Sequence, residues 1–406
     1  MKKVLLSAYA CIPGRGSEPG NGWNWAYFLS KEGHEVHLIT TSKGRKEIDQ
    51  IITNESIKNI HVHYVDHSYF WSKAYYWNFI FMYTAYWLWQ NKILKLAKIL
   101  HTSDPFDVVH HVTWGSIKVG SSLYRLKNTK FIYGPAGGGH KAPKAFKKYF
   151  YKEWNKERFR NFAGELISFI NPLTKKTLIN SDIVLVANQE TFDYAKRNGA
   201  KNAKLIVDSA LPPDYLPNTI NNKSNTIIQF LWVGRMYAFK GMGLILDALE
   251  LLDAEVKNQI HLNVVGDGPF MAELRQLILQ KKLNDTITLH GLLPYNVVKS
   301  MYESVDVFIF CSLRDSCPAQ HLEAMAFGLP VITLNLHGSK LVVPDNAGLK
   351  VPVDNPDKTI EMIATAIKEL TLNTELRRKL GHAAYNFAKI NTWDVKVKHI
   401  IQSYYS

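Results

Sequence analysis

Arg235 and Lys240 stand five residues apart, on either side of a turn bounded by Gly234 and Gly241. The turn joins an apolar run over 226–234, which predicts a strand, to a helical pattern over 241–252. A guanidinium fork, an ammonium point charge and the amides of a helix start are the donors that hold a diphosphate. Two solvated surface cations would show the same spacing. Eighty residues further on from Arg235 comes Asp315-x7-Glu323. Asp315 falls in the loop after a predicted strand (306–312), and Glu323 in the first turns of a helix over 319–327. Carboxylates so placed accept hydrogen bonds from ribose or sugar hydroxyls. An acid near a helix N-terminus also stabilises the helix by itself, so the pair gains meaning only from its surroundings. No Asp-x-Asp pair is present to hold a metal against a diphosphate. No metal ligand and no cofactor is therefore expected for the reaction.

The elements that must carry these groups read as strand, loop, helix in alternation. Residues 2–9 predict a buried strand, 13–22 a glycine-rich loop containing Gly16, Ser17 and Glu18, 23–32 a helix and 34–40 a second strand. Further strands are expected at 60–65, 107–112, 130–133 and 183–187. A Pro- and Asn-rich stretch, 211–225, predicts a linker, after which the alternation restarts at 226, 261, 286, 306 and 331. The fold class is therefore α/β, with two Rossmann-like doubly wound domains facing across a cleft. The expected divisions are 1–205, 206–388 and a C-terminal helix, 389–406, packing back on the first domain.

The chain has 406 residues and 46% apolar composition, which excludes wholesale disorder. Cys11, Cys311 and Cys317 form no CxxC pair, which excludes a zinc knuckle or redox motif and suits a reducing compartment. Met1–Cys11 mimics a secretory signal, but its apolar run is short and it leads into a glycine loop, so a strand is the better reading. The net charge of +14 is uneven. Residues 1–205 hold 30 basic and 15 acidic side chains and 33 of the 49 aromatics. That balance suits an anionic partner such as an acidic membrane surface. Residues 69–90 hold 12 aromatics in 22 positions, and 141–160 hold eight Lys/Arg with interleaved aromatics. The first stretch reads as a buried helix with part of a groove, or as a membrane-touching surface. It is too Tyr/Trp-rich and too interrupted to be a span.

Val233-Gly234-Arg235…Lys240-Gly241, Gly266-Asp267-Gly268-Pro269, His290-Gly291 and Asp315-x7-Glu323 within Leu322-Glu323-Ala324-Met325-Ala326-Phe327-Gly328-Leu329-Pro330 occur in one order. Together they resemble glycosyltransferase family 4, retaining enzymes of the GT-B fold that use nucleotide sugars, and the N-terminal half resembles a bacterial surface-polysaccharide subset more thinly. The resemblance implies that Arg235 and Lys240 bind the donor diphosphate, that Glu323 binds the ribose and that Asp315, where Glu is commoner, contacts the donor sugar. Gly234, Gly268, Ser316 and Cys317 join the donor loops, and Gly291 with Leu292 lies against the base. Pro318 removes one amide commonly used, leaving those of Ala319 and Gln320. Gly16-Ser17-Glu18 corresponds to a phosphate- and sugar-facing loop. Asp107-x-x-His110-His111 resembles a strand ending that offers a cleft histidine, with His111 favoured over His110.

The resemblance also implies metal independence, retention, a nucleotide-diphosphate-sugar donor and a saccharide or lipid-linked acceptor, in a cytoplasmic enzyme with peripheral contact to the inner face of the membrane. No nucleic acid is expected. The alternatives are a non-enzymatic binder of membrane or nucleic acid acting through the basic half, and a GT-B enzyme of another reaction, such as a nucleotide-sugar epimerase.

Overall fold

The computed structural model describes residues 1–220 and 226–406, apart from the side chains of Phe79 and Ile170. The expected linker residues 221–225 lie outside the described residues. The chain forms two compact units. Unit 1 comprises 1–139, 162–210 and 393–406, and unit 2 comprises 140–161 and 211–392.

Unit 1 is built on seven parallel strands: β1 Lys3–Ala8, β2 Glu35–Thr40, β3 Ile60–Tyr64, β4 Val108–Thr113, β5 Lys130–Ala136, β6 Ile183–Val186 and β7 Ala203–Leu205. Their order is β3-β2-β1-β4-β5-β6-β7. The start of the chain is thus a central strand. Alternation along it feeds two cores, Leu5 with Val109, Phe131 and Trp89 on one face, and Val4 and Leu6 with Val36, Val108 and Trp25 on the other. Helix Trp393–Tyr404 belongs to this unit, with Trp393 edge-on to Trp25 at 5.7 Å.

Unit 2 has six parallel strands: β8 Ile228–Val233, β9 Ile260–Val265, β10 Ile287–Gly291, β11 Val307–Phe310, β12 Val331–Leu334 and β13 Gly348–Val351, in the order β10-β9-β8-β11-β12-β13. Strand order reverses at β1/β4 in unit 1 and at β8/β11 in unit 2. At such a point successive loops diverge and open a crevice at the C-terminal strand ends, where ligands bind in open α/β sheets.

Three expectations are corrected. The loop 13–22 is helical from Ser17, in helix Ser17–Lys31. A Cβ at Gly20 would lie 1.8 Å from the Arg15 carbonyl oxygen, and one at Gly22 2.1 Å from that of Ala10. These glycines serve close backbone packing of a helix, not a flexible loop, and Pro19 is tolerated because it sits in the first turn. Residues 140–161 cluster with unit 2, not with the first domain as divided at 205. The short strands β7 and β13 were not expected from the sequence, and the helix read within 69–90 runs on to 25 residues, Phe79–Ser103.

Candidate active site

In unit 2 the loops after β8 and β11 diverge and carry the two halves of the expected donor site. Lys240 is buried and its ammonium reaches the Asp315 carboxylate, joining the two loops by an ion pair. Gly241 follows with φ +84°, and a Cβ there would lie 1.9 Å from the Cys311 carbonyl oxygen. Only glycine lets the first loop come this close to the second, and that approach delivers Lys240 to Asp315. Arg235 is exposed, with its guanidinium 5.7 Å from the Tyr237 ring. The turn containing it is held by the loop after β9: Gly234 N–H donates to the Val265 carbonyl (3.0 Å), and Met236 N–H to that of Asp267 (2.9 Å). Gly268 packs against the Met236 backbone in this pairing.

Helix Ala319–Ala326 begins at Pro318 with no side-chain cap, so no cap occupies the amides of Ala319 and Gln320. Ser316 and Cys317 are partly exposed, and Gly338 lies against their backbone. Glu323 sits on this helix and accepts a hydrogen bond from the Tyr302 hydroxyl at 3.1 Å. Burial pushes its carboxyl up to about 7, against the opposing pull of that hydrogen bond. Gly291 ends β10 with φ +68°, and Leu292 beside it is 83% exposed.

Sequence reasoning missed Arg314. It stacks over Phe239 at 4.0 Å and pairs with Glu157 at 3.1 Å, and burial lowers it to about 10. Glu157 is itself buried, which raises its carboxyl, but the Arg160 hydrogen bond and the Arg314 charge prevail and hold it below the ordinary value. The 141–160 run thereby folds onto unit 2. Phe146, Tyr149 and Phe150 are buried, and Tyr149 donates to Asp247 at 2.5 Å. Phe146, Tyr149 and Phe150 are therefore not offered to a membrane surface, which narrows the basic, aromatic part of 141–160 available to an anionic partner.

Unit 1 differs most from expectation at its histidines. His110 and His111 point to opposite faces of the fully buried β4. His110 bonds Tyr405 and the Gly134 carbonyl, both at 2.8 Å. His111 bonds Ser7 at 3.1 Å and Tyr86 at 3.2 Å. Burial lowers them to about 4 and about 3. With every ring nitrogen engaged inside the unit, both are core histidines, and the expected crevice histidine is not found at either position.

At the β1/β4 switch point stand other groups. Gly16 and Ser17 are exposed at the start of helix Ser17–Lys31, while the Glu18 carboxylate accepts from Gly115 N–H at 2.5 Å, with burial raising its carboxyl. Tyr9 follows β1 and Trp114 follows β4, 5.8 Å apart and stacked, with Tyr83 parallel to Trp114 at 5.7 Å and Tyr86 edge-on at 4.6 Å. Tyr9 also meets Tyr75 at 6.1 Å and hydrogen-bonds His67 at 2.9 Å. The aromatic-rich 69–90 stretch therefore does two things. Tyr75, Tyr83, Tyr86 and Trp89 complete this cluster at the strand ends, while Tyr69, Phe70, Tyr76, Trp77, Ile80 and Trp87 remain exposed. The available signal was the excess of Tyr and Trp, whose rings combine apolar area with a polar tip.

Residues 218–387 match the family Glycosyl transferases group 1. This segment is similar to a group 1 glycosyl transferase domain. It contains Arg235, Lys240, Asp315 and Glu323, so the family match and the switch-point loops coincide. Among curated proteins the chain is similar to the putative colanic acid biosynthesis glycosyltransferase WcaL of Escherichia coli, 30% identical over 218 residues, covering 51% of this chain and 53% of that protein. It is also similar to the capsular polysaccharide biosynthesis glycosyltransferase CapM of Staphylococcus aureus, 24% identical over 72% of this chain and 74% of that one. The chain spans about half or less of the length of WcaL and several other relatives.

Among solved structures, sucrose-phosphate synthase from Thermosynechococcus elongatus aligns with a TM-score of 0.71 at 18% identity, over 100% of this chain and 98% of that one. Anabaena HepE, solved with UDP, aligns at 0.60 and 15%, over 99% and 98%. Both align along nearly the whole chain, and at these identities the likeness is one of fold, the GT-B fold of two α/β units.

Proposed function

We propose that the chain is a glycosyltransferase that moves a sugar from a nucleoside-diphosphate sugar to a saccharide or lipid-linked acceptor in bacterial polysaccharide synthesis. The observation carrying this is the β8/β11 crevice, where Lys240, Arg235, uncapped helix amides and Glu323 stand within the group 1 domain. The cations neutralise charge that grows on the leaving diphosphate, the form of electrostatic stabilisation that gains most in a desolvated site. That role needs no metal. Neither His110 nor His111 is placed to act as base, so the leaving phosphate oxygen takes the acceptor hydroxyl's proton as the new glycosidic bond forms on the same face, with retention. The solved complex of HepE with UDP supports a nucleoside-diphosphate donor.

The acceptor stands on the Tyr9–Trp114–Tyr83 cluster, where aromatic faces meet the apolar faces of sugar rings. A thermal-shift series with UDP, GDP, ADP and CMP, with and without EDTA, tests the donor reading. A ligand at 100 times its Kd stabilises by about 2.7 kcal/mol, so one nucleoside diphosphate raises Tm and keeps doing so in EDTA. No shift with any nucleotide overturns the reading. In the transfer assay Trp114→Ala raises acceptor KM with donor KM unchanged.

Among the described residues no helix is long and apolar enough to cross a membrane. Unit 1 nevertheless exposes Ile80 and Trp87 on one side of an apolar groove of about 600 Å³ and Leu166 on the other, with Arg125 and Lys176 also lining it. Phe162 and Phe169, the latter 89% exposed, continue the apolar surface along the same helix as Leu166. An apolar surface with interfacial aromatics and basic residues suits peripheral contact with an anionic bilayer. The protein is expected to float with vesicles of acidic phospholipid at physiological salt and not with neutral ones. Trp87→Ser with Phe169→Ser reduces flotation, and equal recovery with both vesicle types would reject the contact.

A further inference from the structure

At the N-terminal ends of β2 and β3, opposite the strand ends that carry Tyr9 and Trp114, four potential ligands share one face of the sheet. The two-residue period of a strand places Glu35 and His37 on that face of β2, and His61 and His63 on that face of β3. Parallel register sets His37 directly beside His61. Side-chain geometry completes the grouping. The His37 Nε2 lies 3.2 Å from Glu35 Oε1, and the His61 Nε2 lies 3.6 Å from the same oxygen. The three ligand atoms all fall within 4.8 Å of one another. A tetrahedral ion with bonds of about 2.0–2.2 Å sets its ligands about 3.3–3.6 Å apart, so the 3.6 Å separation already has that length and the 3.2 Å one falls just short of it. His61 is exposed and can turn to close the third.

We propose that Glu35, His37 and His61 form a binding site for a borderline divalent transition-metal ion of the Zn²⁺ class, with a solvent-filled fourth position. Two imidazoles and one carboxylate are the donor set such ions prefer, whereas Mg²⁺ and Ca²⁺ select all-oxygen sites. The outer shell is also in place. The second nitrogen of His37, Nδ1, lies 3.1 Å from His63 Nε2. His63 can therefore accept the Nδ1–H of a His37 that binds metal through Nε2, the partnership that fixes a ligating imidazole's tautomer and orientation. Phe106 packs edge-on to the His37 ring at 5.1 Å and limits its rotation.

One group opposes the ion. The Lys3 ammonium lies 3.4 Å from the same Glu35 oxygen and is also paired with Asp104. In the metal-free protein Lys3 occupies part of the site, and metal binding leaves it to Asp104 alone. The ion ties edge strand β3 to β2 and so protects an edge with unpaired backbone groups. The site is remote from the proposed transfer chemistry and stands or falls independently of it.

The full-length protein, freed of metal by chelator and dialysis, is titrated with Zn²⁺ against a chromophoric chelator and with Co²⁺ by visible absorption. One ion per chain is expected, with Co²⁺ giving the intense d–d bands of four-coordination and Zn²⁺ raising Tm. His61→Gln, an exposed and structurally benign change, abolishes the bands and weakens Zn²⁺ at least tenfold. Lys3→Met has the opposite sign and tightens Zn²⁺ several-fold, a gain that damaged folding cannot imitate. Absence of one-per-chain binding overturns the site, as does binding that survives His61→Gln, which would belong to other surface histidines. An unchanged affinity in Lys3→Met overturns the assigned geometry.

Discussion

Arg235→Ala is expected to abolish the nucleoside-diphosphate thermal shift and to lower kcat/KM by about 10²–10³-fold, the usual cost of removing one donor to developing negative charge. The side chain is exposed and lies beside the Tyr237 ring, so the Tm of the nucleotide-free protein should hardly change. Arg235→Lys keeps the charge but loses the planar fork, and recovers only part of the activity. Lys240 differs because it is buried and paired with Asp315. Lys240→Met removes the diphosphate contact and leaves the Asp315 carboxylate unpartnered by its cation, so it costs stability as well as rate. Asp315→Asn in the Lys240→Met background restores part of the stability but none of the rate. Recovery of rate in the double variant would show that Lys240 serves the loop and not the leaving group. Wild-type nucleotide affinity in both Arg235→Ala and Lys240→Met would remove the diphosphate site altogether.

Nucleotide affinity is expected to rise with pH through neutrality, and Glu323 is the cause. Burial raises its carboxyl to about 7 in the free protein, so at pH 6 most molecules hold it protonated. A ribose whose two hydroxyls both donate needs the carboxylate. Affinity therefore increases up to tenfold per pH unit below about 7 and levels off above it. The contribution to folding has the opposite sign. A carboxyl whose pKa is raised on folding contributes stability that is fully present below its ordinary value near 4.5 and is lost as pH rises through about 7. The nucleotide-free protein thus loses this contribution over the same interval in which nucleotide binding gains. Glu323→Gln flattens both profiles, which separates this residue from the titration of the nucleotide's own phosphate. Calorimetric titration of the diphosphate at pH 5.5, 6.5, 7.5 and 8.5, with melting curves at the same values, checks both. An unaltered affinity profile in Glu323→Gln would assign the ribose contact elsewhere.

The placement of the proposed donor residues was legible because the pattern that carries them is local. Arg235 and Lys240 flank one turn, Asp315 and Glu323 one loop and helix start, and each pair is positioned by elements that the alternation of apolar runs already predicts. The proposed acceptor half was not legible for a different reason. His110 and His111 are adjacent on a strand, and whether either reaches a crevice depends on what covers each face of the sheet. Tyr405 and Gly134 cover one ring, Ser7 and Tyr86 the other. Those partners come from as far as 295 residues away, beyond the reach of any local pattern. The same distance hid Trp114 and Tyr9, which meet only because β1 and β4 are neighbours in the sheet.

By itself the sequence determined the class of fold, two parallel-sheet α/β halves, and pointed to the proposed donor residues, since hydrophobic periodicity and loop chemistry act over a few residues. Tertiary structure alone decided the assignment of residues 140–161 to the second unit, through the docking of Phe146, Tyr149 and Phe150 and the Glu157–Arg314 pair. It also decided that the glycines after β1 lie within a helix, and that the histidines of β4 belong to the core. Each of these is a question of what a surface is packed against. Burial energy depends on neighbours brought together by the fold, and those neighbours are not written near the residue they cover.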